Sequence, residues 1–321
     1  MFQAFYVQPD GAIGSVMQVG GGRWRASAIT QPGLVRVDSP LAAVRLGREI
    51  SVFFVAPNGS VSRIFAGLVT DAIPHVTAEA ITPAGSAGNG TDLAAALRRN
   101  NEWHVFYQTT TGAIVDVFFV PVGARFAPRV AAPGWQSPVQ IAPPFVAAPR
   151  SPIASLTRNN TQVHVFFVQP DNAVATTYGT DELFRIAPVT ITPPGASRGD
   201  SPLAAAIHRD EVIHVFYVSS DGSLATTSMV RANVIIGPLY PWRTPFLITP
   251  PGAAGRGSRI AAVEHRDDQL HVFYQGPDGA LATTWAVAPL PYPSGPWQTP
   301  LPITPPGAGS SGSPIVAVTG K

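Results

Sequence analysis

The chain has 321 residues, 45% of them hydrophobic and only 12% charged, with 21 Lys and Arg against 19 Asp and Glu and no cysteine. A net charge of +2, spread along the chain, lacks the basic footprint of a nucleic-acid binder, and without cysteine there is no disulfide framework or thiolate metal site. No apolar run reaches the roughly 20 residues of a membrane span, and the first residues carry no basic segment or signal-type apolar core. A cytoplasmic protein, or one exported without a classical signal peptide, is therefore expected.

Self-similarity organises everything else. The chain opens on an aromatic strand, Ala4-Phe5-Tyr6-Val7, which returns as Val52-Phe53-Phe54-Val55, His104-Val105-Phe106-Tyr107, His164-Val165-Phe166-Phe167, His214-Val215-Phe216-Tyr217 and His271-Val272-Phe273-Tyr274. The first aromatic of each copy stands at 5, 53, 106, 166, 216 and 273, so successive spacings are 48, 53, 60, 50 and 57 residues. That period suits a four-stranded propeller blade.

Each aromatic strand after the first follows an Ala-rich strand, such as Ser39-Pro40-Leu41-Ala42-Ala43-Val44 or Ser201-Pro202-Leu203-Ala204-Ala205-Ala206. Small side chains with Pro only at the start suit the crowded inner strand of a blade. Turns such as Asp10-Gly11, Asn58-Gly59, Asp221-Gly222 and Asp278-Gly279 then predict hairpins into a third strand, because Gly supplies the positive φ such turns need. A fourth, outer strand carries Trp and a Pro-rich close, as in Trp242 to Gly252 and Trp297 to Gly307.

The expected fold is all-β: a single six-bladed β-propeller domain of four-stranded blades. Residues 36–88, 89–147, 148–197, 198–254 and 255–312 form blades two to six. The last inner-strand copy, Ser313-Pro314-Ile315-Val316-Ala317-Val318, is expected to pair with the N-terminal aromatic strand. Blade one is thus assembled from 313–321 with 1–35, and the ring closes without an exposed edge.

Chemistry is sparse. Acids such as Asp10, Asp171, Asp221 and Asp278 sit in turns, and no unique carboxylate pair of the kind glycoside hydrolysis needs presents itself. A sialidase Asp box is absent, and no enzyme activity, metal or cofactor is expected. Four of the seven histidines, His104, His164, His214 and His271, share one repeat position. Two readings stand side by side: imidazoles hydrogen-bonded across blade interfaces, or imidazoles offered to a polar ligand in equivalent clefts. Trp24, Trp135, Trp242 and Trp297 begin the outer strand in four blades, with Phe184 in that place in blade four. A flat ring there suits either stacking on a sugar or ordinary packing.

The sequence Ser201-Pro202-Leu203-Ala204, then Ile213-His214-Val215-Phe216-Tyr217, Asp221-Gly222, Leu224-Ala225-Thr226-Thr227 and Trp242 resembles the Aleuria-type fucose-binding lectins. Those are six-bladed propellers that hold fucose between blades with an Arg, a Glu and an aromatic wall. The resemblance places His104, His164, His214 and His271 where the Arg would be, and Asp116, Thr176, Thr226 and Thr283 where the Glu would be. Blade one has Gln3 and Ser15 there, and blade two Ser51 and Arg63. The charged clamp is thus replaced by His and Thr, which still donate to and accept from hydroxyls. With Trp135, Trp242 and Trp297 these form the expected sugar sites, up to six and individually weak. The implied partners are glycans or glycoconjugates on a surface, with self-association adding valency. The alternative is a protein-interaction scaffold that has lost sugar binding, and a glycan-processing enzyme comes third.

Overall fold

A computed structural model describes residues 3–19, 23–36, 39–47, 49–67, 77–98, 101–122, 133–180, 183–184, 187–208, 212–230, 242–265, 269–287, 297–307 and 315. The described residues form strands and turns with no α-helix, hence none long and apolar enough to cross a membrane. By contact density the chain divides into two compact units, one mainly residues 1–163 and the other mainly residues 188–319.

Six antiparallel sheets follow one another along the sequence. The first contains β1 (Gln3–Val7), β2 (Ile13–Val19) and β3 (Arg23–Ala28), in that order. The second has β4 (Leu41–Leu46), β5 (Glu49–Val55), β6 (Val61–Gly67) and β7 (Ala78–Ala80). In the third, β8 (Leu93–Arg98), β9 (Glu102–Gln108) and β10 (Ile114–Val120) are followed by an outer strand broken into β11 (Gly134–Trp135) and β12 (Val139–Ala142), both paired with β10.

The fourth repeats that pattern with β13 (Ile153–Arg158), β14 (Gln162–Val168), β15 (Val174–Thr180), β16 (Leu183–Phe184) and β17 (Val189–Thr190). The fifth is β18 (Leu203–His208), β19 (Val212–Val218), β20 (Leu224–Val230) and β21 (Phe246–Leu247). The sixth is β22 (Ile260–His265), β23 (Gln269–Gln275), β24 (Leu281–Val287) and β25 (Leu301–Pro302). The segment expected to add an inner strand to the first sheet, 313–318, lies outside the described residues apart from Ile315.

Register repeats with the sequence. His214 pairs with Ala206 on one side and Ser228 on the other, and His271 pairs with Val263 and Trp285, His104 with Ala96 and Phe118. Equal places in the sequence repeat are therefore equal places in each sheet. The central strands β9, β14 and β19 are buried on both faces, which is why they read as unbroken apolar runs rather than alternating ones.

In the first unit, Phe53 and Val55 of the second sheet pack with Val105 and Tyr107 of the third. Phe216 and Val218 of the fifth sheet pack with Val272 and Tyr274 of the sixth in the second unit. Each such fully buried Phe contributes roughly 2–3 kcal/mol of apolar burial.

Two hydroxyl contacts explain the motifs that flank the strands. Ser39, Thr91, Ser201 and Ser258, just before the inner strands, accept the N–H of Val55, Gln108, Val218 and Gln275 at 2.7–3.0 Å. Thr30, Thr82, Thr192, Thr249 and Thr304, in the Pro-rich closes, accept the N–H that opens the third strand, from Ile13, Val61, Val174, Leu224 and Leu281, at 2.7–2.8 Å. The hairpin glycines adopt the expected positive φ, 77° at Gly59 and 80° at Gly222, and Asn172 takes that role at 62° in the fourth sheet.

Candidate functional site

The four repeat-position histidines lie on the sheet face of the phenylalanine two residues on. His104, His164, His214 and His271 stack nearly parallel on Phe106, Phe166, Phe216 and Phe273, with ring centroids 5.9–6.1 Å apart. His104, His164 and His214 are buried, while His271 is half-buried, covered by Trp285 at 5.8 Å and with Nε2 3.0 Å from Gln269 Oε1. Thr176, Thr226 and Thr283 are buried too, and the first two hydroxyls donate to the carbonyls of Val165 and Val215 at 3.1 Å.

Equal position does not mean equal charge. In the third sheet His104 Nδ1 lies 2.9 Å from Asp116 Oδ2, and its Nε2 lies 3.5 Å from Glu102, which itself stands 3.6 Å from Arg98. Burial alone would depress the His104 pKa, but the charge and hydrogen bond of Asp116, aided by Glu102, raise it to about 9. In the fifth sheet Thr226 replaces the carboxylate. There burial, with the positive charges of His208 and Arg243, pushes His214 down to about 3. Among the described residues, neither His214 ring nitrogen has a hydrogen-bond partner.

The tryptophans stand at sheet junctions and keep part of their surface exposed. Trp135 meets Phe53 edge-on at 6.0 Å, Trp242 meets Phe166 at 5.9 Å, and Trp297 meets Phe216 at 5.8 Å, with interplanar angles of 78–86°. Trp135 lies on β11, whereas Trp242 and Trp297 come four residues before β21 and β25; in each case the ring packs against the aromatic strand of the preceding sheet, a T-shaped contact worth about 1 kcal/mol beyond its area. Trp24 lies on β3 and Phe184 on β16.

A cluster that motif reading alone leaves unassembled lies where the second and third sheets meet. The Arg63 guanidinium sits 5.0 Å from the ring centroid of Trp103, 5.5 Å from Trp135 and 5.9 Å from Phe119. Its Nη2 binds Glu79 Oε2 at 2.7 Å, and the Glu79 side chain is 51% exposed. The rings also touch one another, Trp103 on Phe119 at 5.1 Å and Phe119 on Trp135 at 5.4 Å. The available signal was departure from the repeat: Trp103 stands where four of the other copies have aliphatic Ile50, Val163, Ile213 and Leu270 and the first has Phe2, and Arg63 comes from the second repeat, which lacks both the His and the Trp. Among the described residues no group of three or more His, Cys, Asp or Glu is placed to hold a metal ion.

No family model matches the sequence, and no curated protein matches it. Solved structures do. The chain is similar to the BP39L lectin from Burkholderia pseudomallei, at 24% identity and a TM-score of 0.81 over 98% of this chain and 84% of that one. It is similar to AofleA from Arthrobotrys oligospora at 15% identity and a TM-score of 0.64, covering 93% and 81%. The lectin of Aleuria aurantia, described as a six-bladed β-propeller with a novel fucose recognition mode, gives 16% identity and a TM-score of 0.63 over 95% and 92%. Six repeated sheets in chain order, and a likeness that runs through nearly all of the chain, give it a β-propeller fold of six blades.

Proposed function

We infer that the chain is a non-catalytic carbohydrate-binding protein of lectin type, carrying several individually weak sites beside the half-buried tryptophans of its blades. The observation that carries this reading is the Arg63–Glu79 pair against Trp103, Phe119 and Trp135. It supplies fixed cationic donors, an exposed carboxylate acceptor and flat apolar rings, the three things a sugar offers hydroxyls and a C–H face to. Fucose is the first candidate, because the Aleuria aurantia lectin it is similar to recognises that sugar.

Of the histidines at the repeat position and their partners Asp116, Thr176, Thr226 and Thr283, His104, His164 and His214 are buried, so His271, which is half-buried, is the one best able to meet a hydroxyl directly. Weak sites acting together suit glycans displayed densely on a surface, and self-association would add to them. The second reading, a protein-interaction scaffold, draws on the burial of His164, His214, Thr176 and Thr226 and on hydroxyls already spent on strand carbonyls.

A glycan array probed at high protein concentration separates the two. Binding to a related set of glycans, weakened roughly tenfold or more by Arg63→Met, is the expected result. Silence from folded protein would hand the function to the scaffold reading.

A further inference from the structure

In three sheets an aromatic ring stands on the third strand, directly across from the repeat-position residue. In the third and sixth, Phe118 and Trp285 lie opposite His104 and His271 and stack on them nearly parallel, at 5.5 and 5.8 Å, so each ring is covered and half-buried. Phe65 holds that place in the second sheet, but the residue across from it is Ser51. No imidazole covers the ring, and Phe65 is 40% exposed. Ser51 itself is buried, and its hydroxyl has no hydrogen-bond partner among the described residues.

The repeat that loses the imidazole is also the one that gains the cation. Arg63 and Phe65 are two residues apart on β6, so they share one face of the sheet, about 7 Å apart along the strand, while Ile64 between them is buried on the other face. Glu79 is the register partner of Arg63 on β7 as well as its ion-pair partner. Of the rings around the guanidinium, Trp103 is buried and Phe119 and Trp135 are half-buried, and all three lie within 5.9 Å of the cation. They fix Arg63 in place. The open ring surface beside it belongs to Phe65. Because the Arg63 side chain is 16% exposed and that of Glu79 51%, the charge an incoming ligand meets first is the carboxylate. An anionic sugar is repelled there, whereas neutral hydroxyls donate to Glu79 and accept from Arg63.

We propose that Phe65 is the stacking residue of the Arg63 site, taking the C–H face of one neutral sugar ring while Arg63 and Glu79 bind its hydroxyls. This rests on the carbohydrate-binding reading and deepens it, naming the ring that meets the sugar and the charge class the site rejects. A flat, uncovered ring two positions from a fixed donor and an exposed acceptor places an apolar and a polar contact within reach of a single sugar.

The test compares the parent with Phe65→Leu, Phe65→Trp and Arg63→Met on beads bearing L-fucose, D-galactose, D-mannose or D-galacturonic acid. Leucine keeps an apolar side chain but removes the flat face. Phe65→Leu should therefore hold the parent's Tm and weaken the neutral sugars roughly three- to tenfold, while Phe65→Trp binds them as well as the parent or better. D-Galacturonic acid should bind less than D-galactose, and Glu79→Gln should narrow that gap. Equal binding of neutral sugars by parent and Phe65→Leu, with Arg63→Met weakened, overturns the role of Phe65 and leaves the lectin reading standing. D-Galacturonic acid held as tightly as D-galactose by the parent overturns the charge selection. A parent that binds none of the four overturns this inference and the lectin reading together, and a fall in the Tm of Phe65→Leu with sugar binding unaltered reassigns the ring to packing.

Discussion

Lowering the pH from about 6.5 to about 3 is expected to remove up to about 4 kcal/mol of stability through His214 alone. The unfolded imidazole takes a proton near 6.5, whereas in the fold burial and the nearby charges of His208 and Arg243 hold its pKa at about 3. Between those values the unfolded state binds more protons, so stability is full above pH 6.5 and falls as the pH drops towards 3. Urea unfolding of the parent and of His214→Leu at pH 7, 6, 5 and 4 checks this. The variant should show a flatter decline and lose little at pH 7, because it also removes two buried nitrogens without hydrogen-bond partners among the described residues. An identical slope in parent and variant would contradict the assignment.

Asp116→Asn should destabilise the protein by about 3 kcal/mol at pH 6 to 7, the usual cost of removing one partner from a buried ion pair. His104 is the mirror image of His214. Its folded pKa is raised to about 9, so its contribution is complete below pH 6.5 and is lost as the pH climbs through 9. The parent should therefore lose stability between pH 6.5 and 9, and Asp116→Asn should start lower and lose less over that window. Thermal melts across the range read both effects. A variant as stable as the parent at pH 6.5 would mean that the Asp116–His104 contact contributes nothing net.

These two histidines also mark what could be read from the sequence. Their shared place in the repeat was legible, as were the strands, the hairpins and the Pro-rich closes, because each depends on local periodicity or turn chemistry. Their opposite charge states were not, since those depend on what lies across the sheet: Asp116 in one copy, Thr226 in another. The Arg63–Glu79 cluster escaped for a similar reason. Its rings come from three separated segments of the third repeat and its cation from the second, so no single motif contains it. The alignment of Thr176 and Thr226 with a ligand-binding position was visible, but the carbonyls that occupy their hydroxyls appear only once strands are in register.

The most direct test of carbohydrate binding is calorimetric titration of the parent with L-fucose and a panel of other monosaccharides, alongside Arg63→Met combined with Trp135→Ala. Heat that saturates in the parent, with loss of the strongest class of sites in the variant, is the predicted result. No heat from any sugar while the parent is folded would contradict it and leave the rings and the ion pair as packing between blades.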